Sequence, residues 1–169
     1  MGITKSTPAL AESPQPLAAN LSWLLSQASH TLTTELTAAL ERLGVSPRAY
    51  CVLSTAMTGD HTQIELAHMI GLDKTTMVVT LDELEAAGLA KRKPSSEDRR
   101  ARVIAVTKAG ERKVAQAEEI VERIHSDVLA SLPARDRKTF VETLARLVGE
   151  RLSEPVECAQ PVRRRAHRA

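Results

Sequence analysis

The chain has 169 residues, 43% hydrophobic and 26% charged, which suits a single domain able to bury a core without disulfide staples. Only three residues are aromatic, Trp23, Tyr50 and Phe140, and seven are glycine; a large β-sandwich is thereby excluded in favour of helices. The 23 Lys and Arg nearly cancel the 21 Asp and Glu, so the net charge of +2 says little until it is placed along the chain.

Residues 1–16 hold Pro8, Pro14 and Pro16 among small polar residues and read as a flexible arm. From Leu17 the pattern turns helical. Leu21, Leu25, Ala28, Leu32, Leu36, Ala39 and Leu43 recur every three or four residues, and Gly44 closes a helix of more than 25 residues. Such length in a small protein points to a dimer or bundle role. Ser46-Pro47 starts a second helix that runs to about Met57. Thr62 and Glu65 form a capping box for a short third helix, Gln63 to Ile70, stopped by Gly71. Asp73 then caps a fourth, which ends near Ala87 before Gly88, with Met77, Leu81 and Leu84 on its inner face. Residues 89–93 and 102–106 read as two strands, joined by a polar loop over 94–101. Thr107 caps a long helix from Lys108 to Leu132, Pro133 breaks it, and a last amphipathic helix carries Phe140, Leu144, Leu147, Val148 and Leu152. A disordered basic tail is expected over 154–169.

Positive charge is concentrated in the hairpin. From Lys91 to Arg102 there are six basic and two acidic residues, a net +4, and Arg163, Arg164, Arg165 and Arg168 form a second cluster. Segregated charge of this kind is the footprint of a polyanion partner. A helix-turn-helix followed by a basic hairpin supplies both parts of a DNA reader. Its second helix fits the major groove, and the hairpin places an arginine in the adjacent minor groove.

The residues Leu72-Asp73-Lys74-Thr75-Thr76 and Leu81-Asp82-Glu83-Leu84-Glu85-Ala86-Ala87-Gly88-Leu89 frame the fourth helix. Together with Ser96-Glu97-Asp98-Arg99-Arg100-Ala101-Arg102 and the following Val106-Thr107-Lys108-Ala109-Gly110, this arrangement resembles the MarR (multiple antibiotic resistance regulator) transcription factors over roughly Leu17 to Leu152. The hairpin matches the family's Asp-x-Arg wing and Leu-Thr-x-x-Gly helix start, with Val106 in place of leucine. The resemblance implies a mainly α fold with a small β-hairpin wing. A winged helix-turn-helix lobe would span 46–107, between dimerisation helices over 17–45 and 108–153. It further implies a homodimeric regulator, expected to be a repressor, on a palindromic double-stranded DNA operator.

Carried over residue by residue, Asp98 braces the wing, Arg99, Arg100 and Arg102 contact DNA, and Lys74, Thr75 and Thr76 meet phosphates or base edges near a helix N-terminus. Many relatives carry an arginine in mid-helix where this chain has Val78 and Val79, which would touch only thymine methyls. The wing and DNA shape would then carry more of the reading. The resemblance also implies a ligand pocket between the first, second and fifth helices. Trp23, His30, Arg48, Tyr50 and Cys51 lie in those segments, with Arg48 as counter-charge to a small aromatic or phenolic anion.

Two alternatives stay open on the residues alone: redox sensing through Cys51, and a winged-helix module that binds protein. Burial of Cys51 on an apolar helix face would leave its thiol inert, since reactivity requires thiolate character and access. Oxidant-sensing relatives carry their cysteine near the start of the first long helix, where this chain has none. The five histidines are scattered without ligand spacing, and no catalytic set or phosphate loop emerges, so neither metal, cofactor nor enzyme activity is expected. No apolar run approaches the roughly 18 residues of a membrane span, and no basic-then-apolar leader opens the chain. With Cys51 and Cys158 in no pairing motif, the expectation is a cytoplasmic protein.

Overall fold

A computed structural model describes residues 17, 19–95 and 101–154. Asp98, Arg99 and Arg100 lie outside the described residues, as do the N-terminal arm up to residue 16 and the tail from 155. The described elements, in order, are α1 (Leu21–Leu40), a single 3-10 turn (Glu41–Leu43), α2 (Pro47–Ala56), α3 (Gln63–Ile70), α4 (Lys74–Ala86), β1 (Ala90–Pro94), β2 (Arg102–Val106), α5 (Lys108–Ala130) and α6 (Ala134–Gly149). The mainly helical class with one antiparallel hairpin agrees with the sequence reading.

Local chemistry sets most of the boundaries. Ser46 Oγ accepts the Ala49 N–H at 3.1 Å, with Pro47 in the first turn of α2. Thr62 and Glu65 form the reciprocal capping box of α3. Asp73 accepts the Thr76 N–H at 2.9 Å and starts α4. Gly71 lies at φ 67°, a left-handed conformation that turns the chain between α3 and α4 at little steric cost. The first helix departs from expectation. It begins at Leu21, because the Asn20 side chain accepts the Trp23 N–H at 2.9 Å, and its last turn tightens to 3-10 before Gly44; α1 proper therefore has 20 residues.

The described residues up to Ile124 form one compact unit and those from His125 a second. In the first unit, Val52 and Leu53 of α2, Leu66 of α3, Met77 and Leu81 of α4 and Ile104 of β2 form the main core. A smaller cluster joins Leu40 to Ala117 and Val121 of α5, and the half-buried Tyr50 packs against both clusters. In the second unit α6 has no buried residue, and Phe140, Val141 and Val148 are each about half exposed. Arg137 donates to the carbonyls of Leu132 and Ala130, tying the start of α6 to the turn before it.

The hairpin pairs Ala90 with Val106 and Pro94 with Arg102. A third backbone segment adds to it. Ile104 donates its N–H to the His61 carbonyl at 2.9 Å, and Thr62 bridges Val103, so the entry to α3 is stitched to β2. At the other end Thr107 forms a knot. Its N–H donates to the Leu89 carbonyl, its hydroxyl donates to the Gly88 carbonyl, and the same oxygen accepts the Gly110 N–H at 3.1 Å.

Gly110 is required at this knot by space. A Cβ there would collide with the Leu89 carbonyl oxygen and stand 2.6 Å from Val106 Cγ1. Gly110→Ala should therefore destabilise the protein by about 1–3 kcal/mol, the usual cost of overpacking, read as a lower denaturant midpoint at unchanged slope. Gly44→Ala serves as the contrast, since open space surrounds its Cβ position and only the left-handed backbone is penalised.

Candidate nucleic-acid interface

One face of α4 is sealed into the core: Met77, Leu81 and Leu84, as expected, and also Thr80, whose hydroxyl donates to the Thr76 carbonyl at 2.8 Å. The rotation of the helix is thereby set. Lys74, Thr75 and Val79 are exposed, while Thr76 and Val78 are half-buried. Thr76 is engaged within the helix start, donating both its N–H and its hydroxyl to the Asp73 carboxylate, the latter at 2.6 Å. The Lys74 ammonium and the Thr75 hydroxyl thus stand open to solvent at the positive end of the helix dipole, a setting that suits an anionic partner. The hairpin, which meets α4 at Asp82 and Glu85, exposes Lys91, Lys93 and Arg102.

The remaining basic residue of β1 is placed otherwise. Arg92 is turned back onto α4, where its guanidinium meets Asp82 Oδ1 at 2.8 Å and pairs with Glu85 Oε2. Glu85 Oε1 also accepts the Arg92 backbone N–H at 2.7 Å. Counting Arg92 with the DNA-facing charge of the hairpin is therefore corrected: its charge is spent on two carboxylates. The available clue was the i,i+3 spacing of Asp82 and Glu85, which lines both up on one helix face.

The residues expected at a ligand pocket are only partly brought together. Arg48 and Cys51 share a cleft of about 520 Å³ with Thr33, Leu36, Ser54, Thr55, Ile70 and Leu72. Its walls come from α1, α2 and the turn after α3, with no residue of α5. Trp23, His30 and Tyr50 do not line it. Tyr50 is instead wedged between the two core clusters, and burial, reinforced by Glu118, raises its phenol pKa above 10. Cys51 is exposed at the cleft by its position on α2. Surrounding protein still desolvates the thiol enough to raise its pKa, which opposes thiolate formation. Among the described residues no His, Cys, Asp and Glu group has metal-binding geometry, and no helix is long and apolar enough to cross a membrane.

Helix, turn, recognition helix and antiparallel basic hairpin define a winged helix-turn-helix. Residues 43–101 match the MarR family model. CouR from Rhodococcus jostii RHA1, solved bound to p-coumaroyl-CoA, is 28% identical with a TM-score of 0.73, over 86% of this chain and 99% of that one. A MarR-family transcriptional regulator from Rhodococcus sp. RHA1 is 27% identical with a TM-score of 0.72, over 85% and 100%. The repressor CouR bound to a 23-mer DNA duplex is 25% identical with a TM-score of 0.71, over 80% and 96%. Residues 43–101 thus match the MarR family, and the chain as a whole is similar in fold to solved winged-helix transcriptional regulators of that family.

Two outcomes test these electrostatics. The hydrogen bonds from Thr76 hold the Asp73 carboxyl below its ordinary pKa, so the stability it contributes is complete above the ordinary aspartate range and is lost as pH falls through the depressed value. Asp73→Ala should lower the melting temperature at neutral pH, and the gap from the wild type should narrow on acidification below about pH 3.9. The raised Cys51 pKa predicts slow alkylation by iodoacetamide at pH 7, with a rate still climbing above the ordinary thiol value of about 8.5.

Proposed function

We propose that this regulator is a homodimeric repressor. Its α4 helices and wings would grip a palindromic DNA operator, and a small aromatic or phenolic anion in the Arg48 cleft would weaken that grip. The observation that carries the reading is the exposure of Lys74 and Thr75 at the start of α4 together with that of Lys91, Lys93 and Arg102 on the hairpin. Arg99 and Arg100 extend the same basic run along the sequence and are assigned to the minor groove, with Asp98 as their brace. Val78 and Val79 are assigned to thymine methyls, and Thr76 to support of the helix start.

CouR, solved both with DNA and with p-coumaroyl-CoA, supports ligand-modulated DNA binding. The cleft supports it physically. Ile70 and Leu72 line it on either side of Gly71, the turn that joins α3 to α4, so an occupant would press on the joint that aims the recognition helix. Dimerisation is supported by apolar side chains that one chain leaves in water: Leu21 on α1, and Phe140, Val141 and Val148 on α6. The raised thiol pKa at Cys51 weighs against the redox alternative.

Electrophoretic shift of the chain's own promoter region tests the reading. The wild type should bind at low salt. Arg99→Ala with Arg100→Ala should weaken binding and flatten its salt dependence, by roughly one log–log unit for each phosphate that is no longer neutralised. A missing wild-type shift, or a shift indifferent to those changes, would overturn it. For the effector, p-coumaroyl-CoA and p-coumarate should raise the melting temperature of the wild type and leave Arg48→Ala unmoved.

A further inference from the structure

Arg92 stands out in the hairpin because its charge is directed inward. Three interactions join it to α4: guanidinium to Asp82, guanidinium to Glu85, and backbone N–H to the same Glu85 carboxylate. Asp82 is 60% exposed and Glu85 about one-third, so without Arg92 two carboxylates would stand on the helix that meets the polyanion. The three interactions link the strand that leads into the basic hairpin to the helix one turn beyond Val78 and Val79. A planar fork reaching two carboxylates fixes orientation as well as distance, which a lysine cannot do.

We infer that Arg92 is a positioning residue for DNA recognition: by bridging Asp82 and Glu85 it sets the angle between wing and recognition helix, so that both grooves are engaged at once. This rests on the DNA-binding reading above. Arg92 touches no phosphate in this role; its effect on affinity passes through the wing. The rival is simple electrostatics, in which Arg92 is one more positive charge near DNA and Asp82 and Glu85 are repulsive.

The two accounts give opposite signs for one variant. Asp82→Asn with Glu85→Gln keeps shape but removes two negative charges and so loosens the hold on the guanidinium, leaving only neutral acceptors. Positioning predicts weaker binding to the operator, by about tenfold, the scale of one well-placed groove interaction; simple electrostatics predicts tighter binding. Binding unchanged or tightened would overturn the inference, provided the wild type binds in the same assay; absence of wild-type binding would instead sink the DNA-binding reading. A merely structural role is separated by repeating the change in the Arg99→Ala, Arg100→Ala background. An effect transmitted through the wing should largely vanish there, whereas general weakening of the lobe should add in full and overturn the assignment. Should the double neutral variant fail to fold, Arg92→Lys decides: it keeps the charge, so retained affinity counts against positioning and a comparable loss supports it.

Discussion

The burial of one face of α4 is the constraint on which the rest of the lobe depends. Met77, Leu81 and Leu84 are withdrawn from water, and each contributes roughly 1.5–3 kcal/mol by that transfer. A helix so anchored cannot rotate without exposing them. Its outward residues are therefore assigned by default: Lys74 and Thr75 at the start, Val79 beyond them, and Asp82 and Glu85 where β1 returns. The hairpin is tied to that surface through Arg92, in addition to the bridge from β2 to the start of α3.

Local signals were the legible ones. Ser46, Thr62 and Asp73 cap the helices they were read to cap, because each bond closes within three residues of its own chain position. Gly44, Gly71 and Gly88 end elements with positive φ, again a property of the residue itself. Signals that depend on remote partners were not legible. Arg92 reads as hairpin charge until its carboxylates, seven and ten positions earlier, are brought back across the turn at Gly88. The bridge from Thr62 to Val103 leaves no mark in either segment. Burial in the single chain does not follow the apolar stripes read for the first and last helices: α1 buries Leu40, which lies off its stripe, α6 buries none of its residues, and Leu21 and Phe140 remain substantially exposed.

The candidate site was legible in its chemistry and less so in its grouping. Lys74 and Thr75 are exposed at a helix start, as their place after Asp73 implied. The pocket reading brought five residues together on segment membership alone. Only Arg48 and Cys51, three apart on α2 and hence neighbours on its surface, meet in one cleft; Tyr50, one position away, points into the core by the same helical geometry. The wall from the turn after α3 was invisible because Ile70 and Leu72 carry no chemical signature beyond being apolar.

The knot at Thr107 bears on how motion passes through the lobe. β2 ends at Val106 and α5 begins at Lys108, leaving a single residue between them, and that residue is bonded on three sides. No slack exists there to absorb a twist. β2 and the first turn of α5 are thereby coupled directly through Thr107, with no flexible linker between strand and helix.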